Sequence, residues 1–148
     1  NQWESALAAA GGHGSKILCE ECIDGREITV GILDGKALPV VEIQPKSGTF
    51  DYHNKYTVGA TDYVCPAEFS SERTESISRL GERAFAAVGG RDFGRVDLML
   101  DADLNPFLLE VNTLPGLTKT SLLPMAAAAG MNFPQLCQRM VELALERN

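Results

Sequence analysis

Between Gly94 and Asn112 the chain alternates so regularly that a β-hairpin with one apolar and one polar face accounts for it. With the turn at Ala102-Asp103-Leu104-Asn105, centred between Asp103 and Leu104, Asp97 faces Glu110, Arg95 faces Asn112, and Met99 faces Leu108. Successive strand side chains point to opposite sides, so these six share one face. Val96, Leu98, Leu100, Phe107, Leu109 and Val111 take the other, which is wholly apolar and expected in a core. The first set opposes two carboxylates with Cβ atoms about 4.5–5.5 Å apart, where like charges destabilise a sheet. Two readings fit the pair. It is held by a hard divalent cation with Asn112 as a third oxygen donor, or it is two solvated carboxylates salt-bridged to Arg95.

The rest of the chain supplies elements to pack against that hairpin, whose strands are expected at 93–101 and 106–113. A short helix is predicted over 2–10, with Trp3, Leu7 and Ala10 on one stripe, ended by Gly11-Gly12. Asp24-Gly25 and Asp34-Gly35 each match the two-residue hairpin signal, which predicts a meander of strands near 16–23, 26–33 and 37–44. Residues 45–66 read as a long polar loop. Ser70 or Ser71 caps a helix running to about Val88, with Ile77, Leu80, Ala84 and Val88 inward. Helices follow near 122–129 and 133–146, the last with Leu136, Met140, Val141 and Ala144 inward. Antiparallel strands with helices packed on them make an α+β layout.

Composition narrows the functional classes. A net charge of −7 over 148 residues argues against a nucleic-acid partner, which needs a basic surface. It leaves room for a nucleotide, whose phosphates one local basic group and a metal ion can carry. No apolar run approaches the roughly 20 residues that span a bilayer. Cys19 and Cys22 have a C-x-x-C spacing, but on a strand residues three apart point to opposite faces. Free thiols in a reducing cytoplasm are expected rather than a metal or redox pair. The first residue is Asn1, and a helix is under way by Trp3, so a piece of a longer chain is expected.

A second chemical signal follows the hairpin. In Leu117-Thr118-Lys119-Thr120-Ser121-Leu122-Leu123-Pro124, Ser121 suits a helix N-cap with Pro124 in the first turn. Free N–H groups at such a terminus suit an anion, and a plain capped helix fits as well. Taken together, Gly94-Arg95-Val96-Asp97-Leu98-Met99-Leu100, Leu109-Glu110-Val111-Asn112-Thr113-Leu114-Pro115-Gly116-Leu117-Thr118 and Ser121-Leu122-Leu123-Pro124-Met125 resemble the C-terminal part of D-alanine–D-alanine ligases, which are ATP-grasp enzymes. The resemblance extends back through Asp51-Tyr52-His53-Asn54-Lys55-Tyr56 and Glu20-Glu21-Cys22-Ile23, covering nearly the whole chain.

The resemblance implies the C-terminal portion of an ATP-grasp ligase domain over 1–148, without the N-terminal substrate domain and the upstream lysines and glycine-rich loop. It implies ATP-dependent joining of two D-alanines through an acylphosphate, for peptidoglycan synthesis in the cytoplasm, in a protein whose relatives are commonly homodimers. Residue by residue, Asp97, Glu110 and Asn112 would hold two Mg²⁺ (or Mn²⁺) ions. Arg95 would steady the transferring phosphoryl group, and the Gly116 N–H would complete an oxyanion site. Ser121 and the Leu122 N–H would grip the second D-alanine's carboxylate. Glu20, Glu21, Cys22 and Ile23 would contact adenine and Glu27 the ribose; the hairpin register, rather than the resemblance, adds Met99 and Leu108 as the apolar floor beneath the adenine. Glu21-Cys22 departs from the family's usual lysine and aromatic. Lys55 would reach the γ-phosphate, and Tyr56 would latch a mobile active-site loop spanning 46–62. A D-alanine–D-lactate ligase, which lacks the Lys-Tyr pair of this loop, and a binding module without catalysis are the alternatives; the piece alone is expected to be inactive.

Overall fold

A strand that is apolar on both faces needs pairing on both edges and cover on both sides, which places Arg26–Leu33 at the middle of the molecule. Its last six residues are all buried. The computed structural model describes residues 2–14, 16–46, 57, 59–118 and 121–146. In chain order these form α1 (Gln2–Gly11), β1 (Arg26–Leu33), β2 (Lys36–Ala37), β3 (Val41–Pro45), β4 (Thr61–Val64), α2 (Ser71–Ala87), β5 (Phe93–Leu100), β6 (Pro106–Asn112), α3 (Leu122–Ala127) and α4 (Phe133–Leu145). The sheet runs β4-β3-β1-β5-β6, with β2 paired to the end of β1. Every described pairing is antiparallel, and the α+β layout is the one expected.

The two faces of the sheet are finished differently. Ile28, Val30 and Ile32 of β1 and Val96, Leu98 and Leu100 of β5 form one buried cluster with Ile77 and Phe85 of α2. A Cβ on Gly81 would stand 2.8 Å from Val30 Cγ1, so its absence lets α2 lie close on the strand. On the opposite face α3 and α4 cover only part. Leu122 and Ala126 pack with Val41 and Ile43, and Leu136, Met140 and Leu143 pack with Leu33 and Ala127. Next to this cover lie Glu27, Thr29, Asp97 and Met99, on that same face by register.

Several expectations change. Residues 16–25 form no strand, and Leu18 is largely exposed. The edges of β1 are already taken by β3 and β5, so the predicted meander has no place for a third partner. Gly25 therefore makes no hairpin turn; a Cβ there would lie 1.8 Å from the Leu100 carbonyl oxygen, so glycine serves close backbone contact. Asp34-Gly35 does make the turn, with φ of 55° and 70°. The strand expected at 37–44 splits, because its pairing to β1 shifts by one residue between Ala37 and Val41, around Pro39, which has no N–H to donate. The loop 45–66 contains β4, which takes the free edge of β3; of the segment 46–62, residues 47–56 and 58, including Lys55 and Tyr56, lie outside the described residues.

Helix positions agree within two residues, but the buried stripes differ. In α2 the buried residues are Ile77, Gly81 and Phe85, and Val88 lies past the helix end in solvent. In α4 they are Leu136, Met140 and Leu143, while Val141 and Ala144 are exposed. A capping box between Asn132 and Gln135 starts α4. The stripe expected on α1 buries nothing among the described residues.

Candidate functional site

The acidic pair sits where the open face meets the edge strand. Asp97 is opposite Glu110 and Arg95 opposite Asn112, as alternation demanded. The remainder of the register is not as expected: Met99 faces Phe107 and Leu98 faces Leu108, with an irregularity between Asp97 and Leu98. The cause is at the turn. Asp101 accepts from the backbone N–H of Asp103 at 2.9 Å and of Asn105 at 2.8 Å, and Leu104 takes φ 62°. This loop sets a register displaced by one residue from the assumed one. A β-bulge at Leu109 then restores it at Asp97. Two departures thus cancel at the carboxylates.

The bulge also re-aims side chains. Leu108 pairs with Leu98 on the face of the α2 core, is half-exposed, and is not the floor of a pocket beside Met99. Leu109, expected in the core, instead lines a cavity with Arg95, Asp97 and Glu110. Phe107, also expected in the core, is partly exposed on the strand edge.

Arg95 lies almost wholly buried beside Asp97. Its Nε donates to Asp97 Oδ1 at 2.8 Å, and its Nη2 donates to Oδ2 at 2.7 Å and reaches Glu110 Oε1 at 3.5 Å. Burial pulls the guanidinium pKa down, but the Asp97 hydrogen bonds and the Asp97, Glu110 and Glu27 charges outweigh it, and the net direction is up. Arg95 is thus salt-bridged to both carboxylates, although Asp97 is buried rather than solvated. The bridge is not full neutralisation: among the described residues the cavity of about 400 Å³ is lined by Glu20, Glu21, Glu27, Asp97 and Glu110 against one cation, Arg95. Glu110 is 59% exposed at its side chain, so it can turn to meet a ligand. Asp97, Glu110 and Asn112 present hard oxygen donors from one hairpin, a set whose chemistry suits Mg²⁺.

A second cavity, of about 580 Å³, adjoins the first, with Glu27 and Ile43 lining both. Cys22, Ile23 and Met99 line this second space. Of the four residues expected to act together at an adenine, Glu20 and Glu21 therefore stand by the acidic pair, and Cys22 and Ile23 stand by Met99. All four cysteines are free thiols, with Cys19 and Cys22 exposed.

At the far wall Leu122 lines the first cavity. Ser121 occupies the N-cap position of α3 without a side-chain capping bond. Its hydroxyl lies 2.6 Å from that of Thr118. A Cβ on Gly116 would sit 3.2 Å from Ser121 Oγ, so the Pro-Gly loop passes close to this serine.

Two site features escaped the sequence reading. Thr29 Oγ1 donates to Asp97 Oδ1 at 2.5 Å from the neighbouring strand. Its signal was a lone hydroxyl in the buried run Ile28-Thr29-Val30. Arg26 spans Glu42 with two hydrogen bonds, of 2.7 and 2.6 Å, and stacks 4.2 Å over Phe69. That pairing joins separate strands and had no local signature.

Known proteins match most of the chain. A family model described as D-ala D-ala ligase C-terminus matches residues 1–142. The D-alanine–D-alanine ligase of Methylacidiphilum infernorum is 52% identical over 132 residues, covering 88% of this chain and 44% of that protein. That of Idiomarina loihiensis is 45% identical over 143 residues, covering 96% and 46%. The crystal structure of the ligase from Bacillus anthracis complexed with ATP superposes with a TM-score of 0.82 at 32% identity, over 98% of this chain and 46% of that one. The chain thus spans a little under half the length of the curated relatives it matches.

Proposed function

The chain belongs to the D-ala D-ala ligase C-terminus family, and from that premise we propose that it supplies the nucleotide, metal and second-substrate sites of an enzyme joining two D-alanines at the expense of ATP. The reaction is formation of an acylphosphate on the first D-alanine's carboxylate, attack by the second D-alanine's amine, and release of phosphate. One observation carries the reading. Two adjoining cavities share Glu27 and Ile43, and they place Cys22, Ile23 and Met99 on one side of Glu27 and Arg95, Asp97 and Glu110 on the other.

Cys22, Ile23 and Met99 offer apolar contacts for adenine, in a cavity that the paired Arg26 and Glu42 also line. Glu27, common to both spaces, offers its carboxylate to the ribose hydroxyls. Arg95, Asp97 and Glu110 face the phosphate end. There Asp97, Glu110 and Asn112 would hold Mg²⁺, in two ions on this proposal, which would supply positive charge against the crowding of anions in phosphoryl transfer. Arg95 brings a guanidinium, fixed by Asp97, to the developing charge. A fork-shaped donor suits a planar array of phosphoryl oxygens better than a point charge. The Gly116 N–H serves as an oxyanion donor, in a loop that glycine keeps open to close approach. Ser121 and the Leu122 N–H hold the acceptor carboxylate; the support is that Ser121 does not cap its own helix. Lys55 and Tyr56 complete the site from the loop on this proposal, and the parent protein works as a cytoplasmic homodimer in peptidoglycan synthesis.

The test is a product assay on the longest natural chain that carries this segment. With ATP, Mg²⁺ and D-alanine, phosphate release should track the appearance of D-alanyl-D-alanine by mass spectrometry, and each should require both substrates. Phosphate release without the dipeptide would overturn the reading.

A further inference from the structure

The donors on Asp97 are not equivalent. Arg95 comes from the same strand, two residues away, on a long side chain that also reaches toward Glu110. On the proposed function, this guanidinium has a second duty at the phosphoryl group. Thr29 comes from the neighbouring strand β1, directly opposite Asp97 in register. It is 1% exposed, and a β-branched side chain has few χ1 choices. Its hydroxyl lies 2.5 Å from Asp97 Oδ1 and 3.3 Å from the Val96 carbonyl oxygen. A hydroxyl carries one proton, so the shorter contact to the charged acceptor takes it.

We infer that Thr29 is a positioning residue for Asp97: its hydroxyl holds Oδ1 from the neighbouring strand, so that the carboxylate keeps its orientation when the guanidinium, which bonds both oxygens, gives way to a cation. The inference rests on the reading of Asp97 as a metal ligand. One of the two restraints is a short β-branched side chain of the central strand, and the other is a long side chain shared between Asp97 and Glu110. Losing a partner that orients a metal ligand typically costs about 10–100-fold in metal affinity.

The test is Mn²⁺ binding to the longest natural chain that carries this segment, followed by the loss of the free-ion electron paramagnetic resonance signal, with ATP present and absent. Thr29→Val keeps the shape and strand preference of the side chain and removes the proton donor. It should weaken Mn²⁺ binding by about 10-fold or more, the usual range for such a partner, while the circular dichroism spectrum is retained. Thr29→Ser, which restores the hydroxyl and loses a methyl group, should recover most of the affinity. Wild-type affinity in Thr29→Val would overturn the inference. So would equal losses in the Val and Ser variants, which would show a packing role. If the wild-type chain itself bound no Mn²⁺ in either condition, the metal reading of Asp97 would fail, and this inference with it.

Discussion

The two faces of the central sheet use the same strands for opposite purposes. On the α2 side, Ile28, Val30, Val96 and Leu98 are wholly buried and make only apolar contacts of the core. One residue along in each strand, Thr29 and Asp97 are almost as deeply buried, yet they meet by a charged hydrogen bond. Depth is therefore not what separates structure from chemistry here. The α2 face has a helix over it from end to end of the core, whereas α3 and α4 stop short and leave a wall of carboxylates facing a cavity. Burial on the first face gains apolar free energy. On the second it removes water from around a guanidinium and a carboxylate, which strengthens their field and makes leaving either alone costly.

The largest effect separating the faces should come from one substitution on each. Glu110→Gln should bring ligase turnover in the longest natural chain to background, while changing the stability of this chain by less than about 0.5 kcal/mol, as expected of an exposed side chain. Leu98→Ala should cost about 2–5 kcal/mol, since it opens a cavity in a fully buried site. Urea unfolding of both variants checks the stability difference. If Glu110→Gln unfolded as easily as Leu98→Ala, the division between the faces would be wrong.

A smaller effect should come from the glycines through which helices touch β1. Alanine at position 81 would press on Val30 at 2.8 Å, a short, stiff neighbour. The helix gains about 1 kcal/mol from Gly to Ala, but overpacking costs about 1–3 kcal/mol, so Gly81→Ala should lower the melting temperature. Alanine at position 31 would meet the ends of Leu123 and Leu38 at 3.0 and 3.2 Å. Those side chains can turn aside, so Gly31→Ala should be close to neutral. Matching melting temperatures for the two variants would show that both faces are packed alike.

The smallest effect is one of pH, on the α2 side. The hydrogen bonds from Arg26 hold Glu42 below the usual carboxylate range against the opposing pull of burial. A carboxyl lowered in the folded state stabilises the fold fully above its unfolded value, about 4.3, and loses that contribution as the pH falls through the folded value. Glu42→Gln should therefore flatten the acid side of the stability profile and leave less to lose below about pH 4.3. Urea midpoints measured down the acid range check this. An unchanged acid slope would remove Glu42 from the account.

Much of the architecture could be read from residue order. The α+β class, the hairpin β5–β6, the capped start of α2 and the opposition of Asp97 to Glu110 all follow from interactions between residues near in sequence or from the strand period. The match of Gly94–Met125 to a ligase family was likewise legible, because both its residue types and their spacing are those of the family. Other features depended on partners far along the chain. The two Asp-Gly pairs are alike in sequence, yet only Asp34-Gly35 turns a hairpin. Gly25 is instead taken up by contact with Leu100, a residue brought there by the pairing of β1 with β5. The bulge at Leu109 exchanged the faces expected for Leu108 and Leu109, because a loop held by Asp101 and the site at Asp97 ask for registers one residue apart. Thr29 joined the site for the same reason. A strand's own sequence determines which side chains share a face, while the identity of its neighbours, and hence what each side chain touches, is decided when the sheet closes.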